Sequence, residues 1–210
     1  MHSHVLTAST HTDEGPDWRL SDEFLPGSAE GSVAEVPPPA VGLSAGAAER
    51  LIFVARLERS ETHCVPAALH CAGVMFSSDG GEHWGGELDD GELPDPMSKN
   101  TVAAVRGAGG RRMLAHVGST SQIVGPRVNI TCMFSRDGKA WGDPAMVLPE
   151  LDAAGRRQIG GYAAAQGLPG RGGGVGVVFE AQLPPQYHLQ ILFFVVPTEF
   201  GEATSPGQEL

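Results

Sequence analysis

An all-β fold assembled from repeated hairpins is what this sequence predicts, and three observations predict it. The pattern Ser-x-Asp-x-Gly-x-x-Trp recurs along the chain. Short apolar runs lead into its complete copies, while 29 Gly and 16 Pro in 210 residues supply turns in quantity. Helix signals are weak throughout, with 145–157 as the sole candidate.

The fullest copy is Ser77-Ser78-Asp79-Gly80-Gly81-Glu82-His83-Trp84. Asp13-Glu14-Gly15-Pro16-Asp17-Trp18 repeats its second half at the same spacing, with His11 in place of Ser. Ser135-Arg136-Asp137-Gly138-Lys139-Ala140-Trp141 is the same unit, shorter by one residue between Asp and Trp. The three copies use all three tryptophans of the chain. Physically the unit is a turn with an anchor on each side. The Asp carboxylate accepts bonds from N–H groups just ahead, and Gly takes positive φ without steric cost. The Ser hydroxyl bonds across the turn, and Trp buries a large ring against the strands that the turn joins. These residues are therefore read as scaffold.

Taken in order, 1–20 holds the first unit. Residues 21–48, with Val36-Pro37-Pro38-Pro39 at their centre, read as a Pro/Gly/Ser-rich loop or linker within a single domain spanning 1–210. Leu51–Ala55 reads as a strand, and 67–76 as a second that enters the unit at Ser77. Between them His63-Cys64 and His70-Cys71 offer soft metal ligands at a spacing that fits no usual zinc pattern, so they are read as strand-end residues and no metal is expected. Residues 85–99 read as an acidic surface loop without the ordered spacing of a calcium loop. Thr101–Val105 and Arg112–Val117 alternate as a hairpin joined by 107–110; Arg127–Phe134, Gly161–Gln166, Val175–Ala181 and Leu189–Val196 complete the strands.

A net charge of −11 disfavours nucleic acid and anionic membrane surfaces as partners. No apolar run approaches the ~18 residues of a membrane span, and no signal peptide is readable. Three cysteines are too few and too irregular for a disulfide framework, so the compartment is left open.

Four further segments resemble a known family. Pro126-Arg127-Val128-Asn129-Ile130-Thr131 is followed by the unit at Ser135, then by Gly161-Tyr162-Ala163 and by Val177-Val178-Phe179-Glu180. With Arg50-Leu51-Ile52-Phe53 upstream, this succession is similar to the exo-α-sialidases, and most like the lysosomal type of animal sialidase. The resemblance covers roughly residues 50–200. It implies a six-bladed β-propeller with Asp boxes away from the active site, no cofactor, and a sialylated glycan as substrate. It also implies retaining hydrolysis of terminal sialic acid by a tyrosine nucleophile. Carried over, Tyr162 takes the nucleophile's place, Arg127 that of an arginine holding the substrate carboxylate, and Glu180 that of the glutamate supporting an arginine. Glu87 is a possible remnant of the base.

The chain departs from the pattern in Ala163, where the family has Ser, and in lacking the segments that carry the other arginines and the acid/base aspartate. At about 40–50 residues per blade it supplies about four blades. Weak or absent hydrolysis is the expectation, with a non-catalytic propeller that binds a glycan or a protein as the alternative. The triplet Asn129-Ile130-Thr131 also fits an N-glycosylation acceptor.

Overall fold

The computed structural model describes residues 6–9, 17–22, 27–38, 50–57, 71–85, 93–95, 97–107, 110–121, 127–169, 173–185 and 187–198. These form twelve strands: β1 (Leu6–Ser9), β2 (Asp17–Leu20), β3 (Ser28–Glu35), β4 (Leu51–Leu57), β5 (Gly73–Ser77), β6 (Thr101–Arg106), β7 (Arg112–Ser119), β8 (Ile130–Ser135), β9 (Ala145–Leu148), β10 (Ile159–Gly167), β11 (Val175–Gln182) and β12 (Leu189–Val196). They make four antiparallel sheets, in the orders β1-β2, β3-β4-β5, β6-β7-β8-β9 and β10-β11-β12. Neighbours in each sheet are also neighbours in sequence, the order that antiparallel pairing of consecutive strands gives.

The second, third and fourth sheets stack face to face. One core, with Ile52, Val54, Val74, Val102, Leu114 and Met133, lies between the second and third sheets. A second, with Val105, Met113, Val117, Phe134, Val177 and Phe179, lies between the third and fourth. The period-2 alternation of β7 and β8 feeds both, so the third sheet is buried on both faces. His116 is buried in this sheet, edge-on to Trp141 at 5.7 Å. Burial lowers its pKa to about 4.

The sheets run in phase, which gives the stack two distinct ends. At one end a Cβ added to Gly160 would meet Ile130 and Leu148, and the starts of β3, β6, β8, β10 and β12 lie there. At the other end Arg112 pairs with Glu35 at 2.6 Å, and Gly167 lies against Ala104 and Val105. The turns following β5 and β8 project from this second end.

Four expectations are revised. Residues 145–157 contain no helix: β9 ends at Leu148, Pro149 follows, and the Asp152 carboxylate closes a turn by accepting the amides of Ala154 and Arg156, both at 2.9 Å. The stretch 21–48 contains β3, whose Gly31 leaves room for the Phe53 ring of β4 across a bulge. The acidic segment 85–99 is not wholly surface, because Leu93, Asp95 and Ser98 are buried. Cys71 is disulfide-bonded, against the reading of the three cysteines as too few and irregular for a disulfide framework, and its partner lies outside the described residues. His63, Cys64, His70, Asp13 and Glu87 all lie outside the described residues.

Candidate functional site

The two Ser-x-Asp turns within the described residues have their polar groups tied down. Ser77 Oγ donates to Asp79 Oδ1 at 2.8 Å and accepts the Gly81 amide at 2.9 Å. Asp79 Oδ1 also takes the His83 amide at 3.0 Å, and Oδ2 lies 2.7 Å from His83 Nδ1. Trp84 donates its indole N–H to the Gly81 carbonyl at 3.0 Å and packs edge-on against Phe53. In the second turn Ser135 Oγ accepts the Gly138 amide at 2.9 Å, while Asp137 Oδ1 accepts those of Lys139 and Ala140 at 2.8 and 3.0 Å. The His83 amide above all, with the Ser77 hydroxyl and the His83 ring, holds Asp79 well below the usual carboxylate range. Asp79 in turn raises the pKa of His83. Trp18 falls on β2, opposite Ala8. The group Asp79, Glu82 and His83 is the one set of clustered metal-type donors among the described residues; it lies on the surface, and both Asp79 oxygens are already engaged.

The opposite end holds Arg127, Tyr162 and Glu180, and local sequence explains how they meet. In β10 the pairing runs Gly161↔Glu180, then Ala164↔Val178, so Tyr162 and Ala163 together face the single residue Phe179. This two-against-one bulge turns Ala163 into the core and leaves Tyr162 with φ 46°, in the left-handed region. Arg127 crosses the strand at Gly161, where an added Cβ would lie 2.8 Å from Arg127 Cδ. The Arg127 carbonyl accepts the Gly160 amide at 2.8 Å, fixing its backbone. Its guanidinium then lies over the Tyr162 ring, 4.4 Å from the centroid, and donates to the Met97 carbonyl at 3.4 Å.

Arg127 and Glu180 line an open cavity of about 110 Å³ with Ile159, Gly160, Gly161, Ala181, Gln182 and Leu189. Tyr162 is not part of that lining. All three candidate residues are partly exposed.

Sequence reasoning missed what surrounds them. Asp95 is buried two residues before Met97, and one carboxylate oxygen accepts the Ser98 amide at 2.7 Å. Burial raises its pKa to about 7, against the smaller opposing effects of that amide and the Arg56 charge. Arg56 pairs with Glu30 at 2.6 Å. The usable signal was Asp95-Pro96-Met97-Ser98, an Asp-x-x-Ser turn beside the apolar Leu93. Every non-glycine residue with positive φ among those described, Glu30, Met97, Asn129, Tyr162 and Tyr187, belongs to this end. Asn129 holds its place by accepting the Glu150 amide at 2.8 Å.

No family model and no curated protein matches the chain. Among solved structures it is similar to the Trypanosoma rangeli sialidase in complex with 2,3-difluoro-KDN, with a TM-score of 0.57 and 13% identity over 96% of this chain and 28% of that one. A mutant of the same sialidase that displays trans-sialidase activity gives a TM-score of 0.56, again at 13% identity and over the same shares. The chain thus spans 28% of the length of these neighbours. At this identity the likeness is one of backbone arrangement: the chain has a sialidase-like, all-β fold of antiparallel sheets.

Proposed function

We propose that the chain is a partial sialidase-type propeller, one domain over 1–210, whose Arg127–Tyr162–Glu180 end takes the terminal sialic acid of glycoproteins, glycolipids or oligosaccharides. The observation that carries this reading is the guanidinium of Arg127 stacked on Tyr162 beside a cavity that Glu180 also lines. A fixed, partly exposed guanidinium suits a planar carboxylate. The substrate's anomeric carbon bears such a carboxylate, and a neutral phenol approaches it without the repulsion that a carboxylate nucleophile meets. In this reading Tyr162 Oη attacks that carbon as the glycosidic bond breaks, and the phenolic proton passes by way of solvent to the leaving oxygen. Water then displaces the phenol, with overall retention. Glu180 supplies the supporting negative charge. The Asp79 and Asp137 turns serve as Asp boxes, with a structural role only.

With one arginine identified and no acid beside it, turnover is slow. The test is release of a fluorophore from an α-sialoside by the purified chain. Slow release, abolished in Tyr162→Phe, is the expected result. Release that is unchanged in Tyr162→Phe would contradict the nucleophile assignment. A non-catalytic glycan-binding role is favoured by one observation, the absence of Tyr162 from the cavity lining. It predicts sialoside binding that survives Tyr162→Phe, with no release.

A further inference from the structure

Arg127 is held from two sides, and one of them belongs to a distant part of the chain. Its guanidinium lies 4.4 Å from the Tyr162 ring centroid and donates to the Met97 carbonyl at 3.4 Å. Met97 has φ 63°, a left-handed conformation that a non-glycine residue keeps only where its surroundings enforce it. Asp95 enforces it. This residue is 1% exposed, and one of its carboxylate oxygens accepts the Ser98 amide at 2.7 Å. The buried Leu93 anchors the segment beside the start of β5 by accepting the Ala72 amide at 2.9 Å.

The two bonds belong to one peptide unit. The Met97 carbonyl and the Ser98 N–H share a planar trans peptide, so they point in opposite directions. We infer that Asp95 is a positioning residue for Arg127: by accepting the Ser98 N–H it aims the Met97 carbonyl at the guanidinium, which keeps that group over Tyr162 and presented to the carboxylate of an acidic sugar. The sugar in this statement rests on the function proposed above; the link from Asp95 to Arg127 does not. The cation that acts on the Asp95 carboxyl is Arg56, itself paired with Glu30 at 2.6 Å, and the path to Arg127 runs through the peptide. What the turn needs from Asp95 is an acceptor oxygen, which a protonated carboxyl or a carboxamide also supplies. Burial raises the Asp95 pKa to about 7, so the protonated form is present near neutral pH.

Proton NMR of the 210-residue chain tests the link without a ligand, because a group held over an aromatic face resonates upfield. The Arg127 Nε–H signal, assigned by its loss in Arg127→Lys, is expected upfield of the other arginines. Asp95→Ala should return it to the ordinary range and weaken binding of an α-methyl sialoside by about 10-fold. Asp95→Asn should restore the upfield position, and the affinity to within about twofold, since its amide oxygen accepts the same N–H. Should Asp95→Ala not fold, Asp95→Ala combined with Met97→Gly carries the test, because glycine takes left-handed φ without steric cost, and the upfield position should again be lost. An ordinary Arg127 signal in the unaltered chain, an upfield signal that survives in the alanine variants, or one that Asp95→Asn loses as well would each overturn the assignment. An upfield signal that depends on Asp95 in a chain that binds no sialoside would support the positioning and contradict the proposed function instead.

Discussion

The two ends of the stacked sheets are made of the same strands and could hardly be more different. At the end that carries Ser77–Trp84 and Ser135–Trp141, the Ser hydroxyls and the Asp carboxylates have partners, and the left-handed positions of the two turns are glycines. At the other end five non-glycine residues hold positive φ, a carboxyl is buried, and an arginine rides on a tyrosine face. Backbone and electrostatic strain collected at one place, over a rigid scaffold, is the usual arrangement for a binding site. Satisfied turns close hairpins and leave little for a ligand to bond.

Substitutions should divide along that line. The largest effect is expected for Arg127→Ala, which removes the charge-assisted contact to an acidic sugar and should weaken sialoside binding by about 10- to 100-fold, measured by calorimetry, with little change in melting temperature. Equal loss in Asp79→Asn would erase the distinction between the ends.

Next comes pH. Asp95 has its folded pKa raised from 3.8 to about 7, so its cost is absent below pH 4 and grows as pH rises towards 7. His116 has its folded pKa lowered from 6.5 to about 4, so its contribution is intact above pH 6.5 and lost as pH falls towards 4. The two slopes oppose each other across one window. Asp95→Asn should therefore stabilise the chain near pH 7, by up to a few kcal/mol in urea denaturation, and leave a curve that falls more steeply on acidification. An unchanged curve would remove Asp95 from the account.

Ser77→Ala should cost about 1–3 kcal/mol, because it strands the Gly81 amide and loosens Asp79, yet it should leave sialoside affinity alone. The smallest effect is expected for Gly161→Ala. A methyl 2.8 Å from Arg127 Cδ shifts that flexible side chain off Tyr162, which should lower affinity severalfold at a stability cost of about 1 kcal/mol. No change in affinity would show that the stacking is incidental.

How legible these features were in the sequence follows from what each depends on. Apolar composition reveals β4, β7 and β11, since each buries one face or both, and reveals β12 as well although most of that strand is exposed. Strand β3, Ser-Ala-Glu-Gly-Ser-Val-Ala-Glu, is hidden because its small residues exist to admit the Phe53 ring, a demand set by β4 rather than by local pattern. The positions of Arg127, Tyr162 and Glu180 followed from short motifs, but their geometry did not. A bulge is set by the pairing of two strands, and the Gly161 gap is intelligible only once Arg127 is seen crossing it. Asp95 was hidden by composition, because an acidic segment reads as solvated until tertiary packing closes over Leu93.

The most direct test of the central claim is a backbone amide NMR titration of the chain with an α-methyl sialoside. Saturable shifts at Gly160, Gly161, Glu180 and Ala181, with Gly80, Gly81 and Gly138 unmoved, are the predicted result. No binding, or shifts gathered at the Ser77–Trp84 and Ser135–Trp141 turns instead, would contradict it.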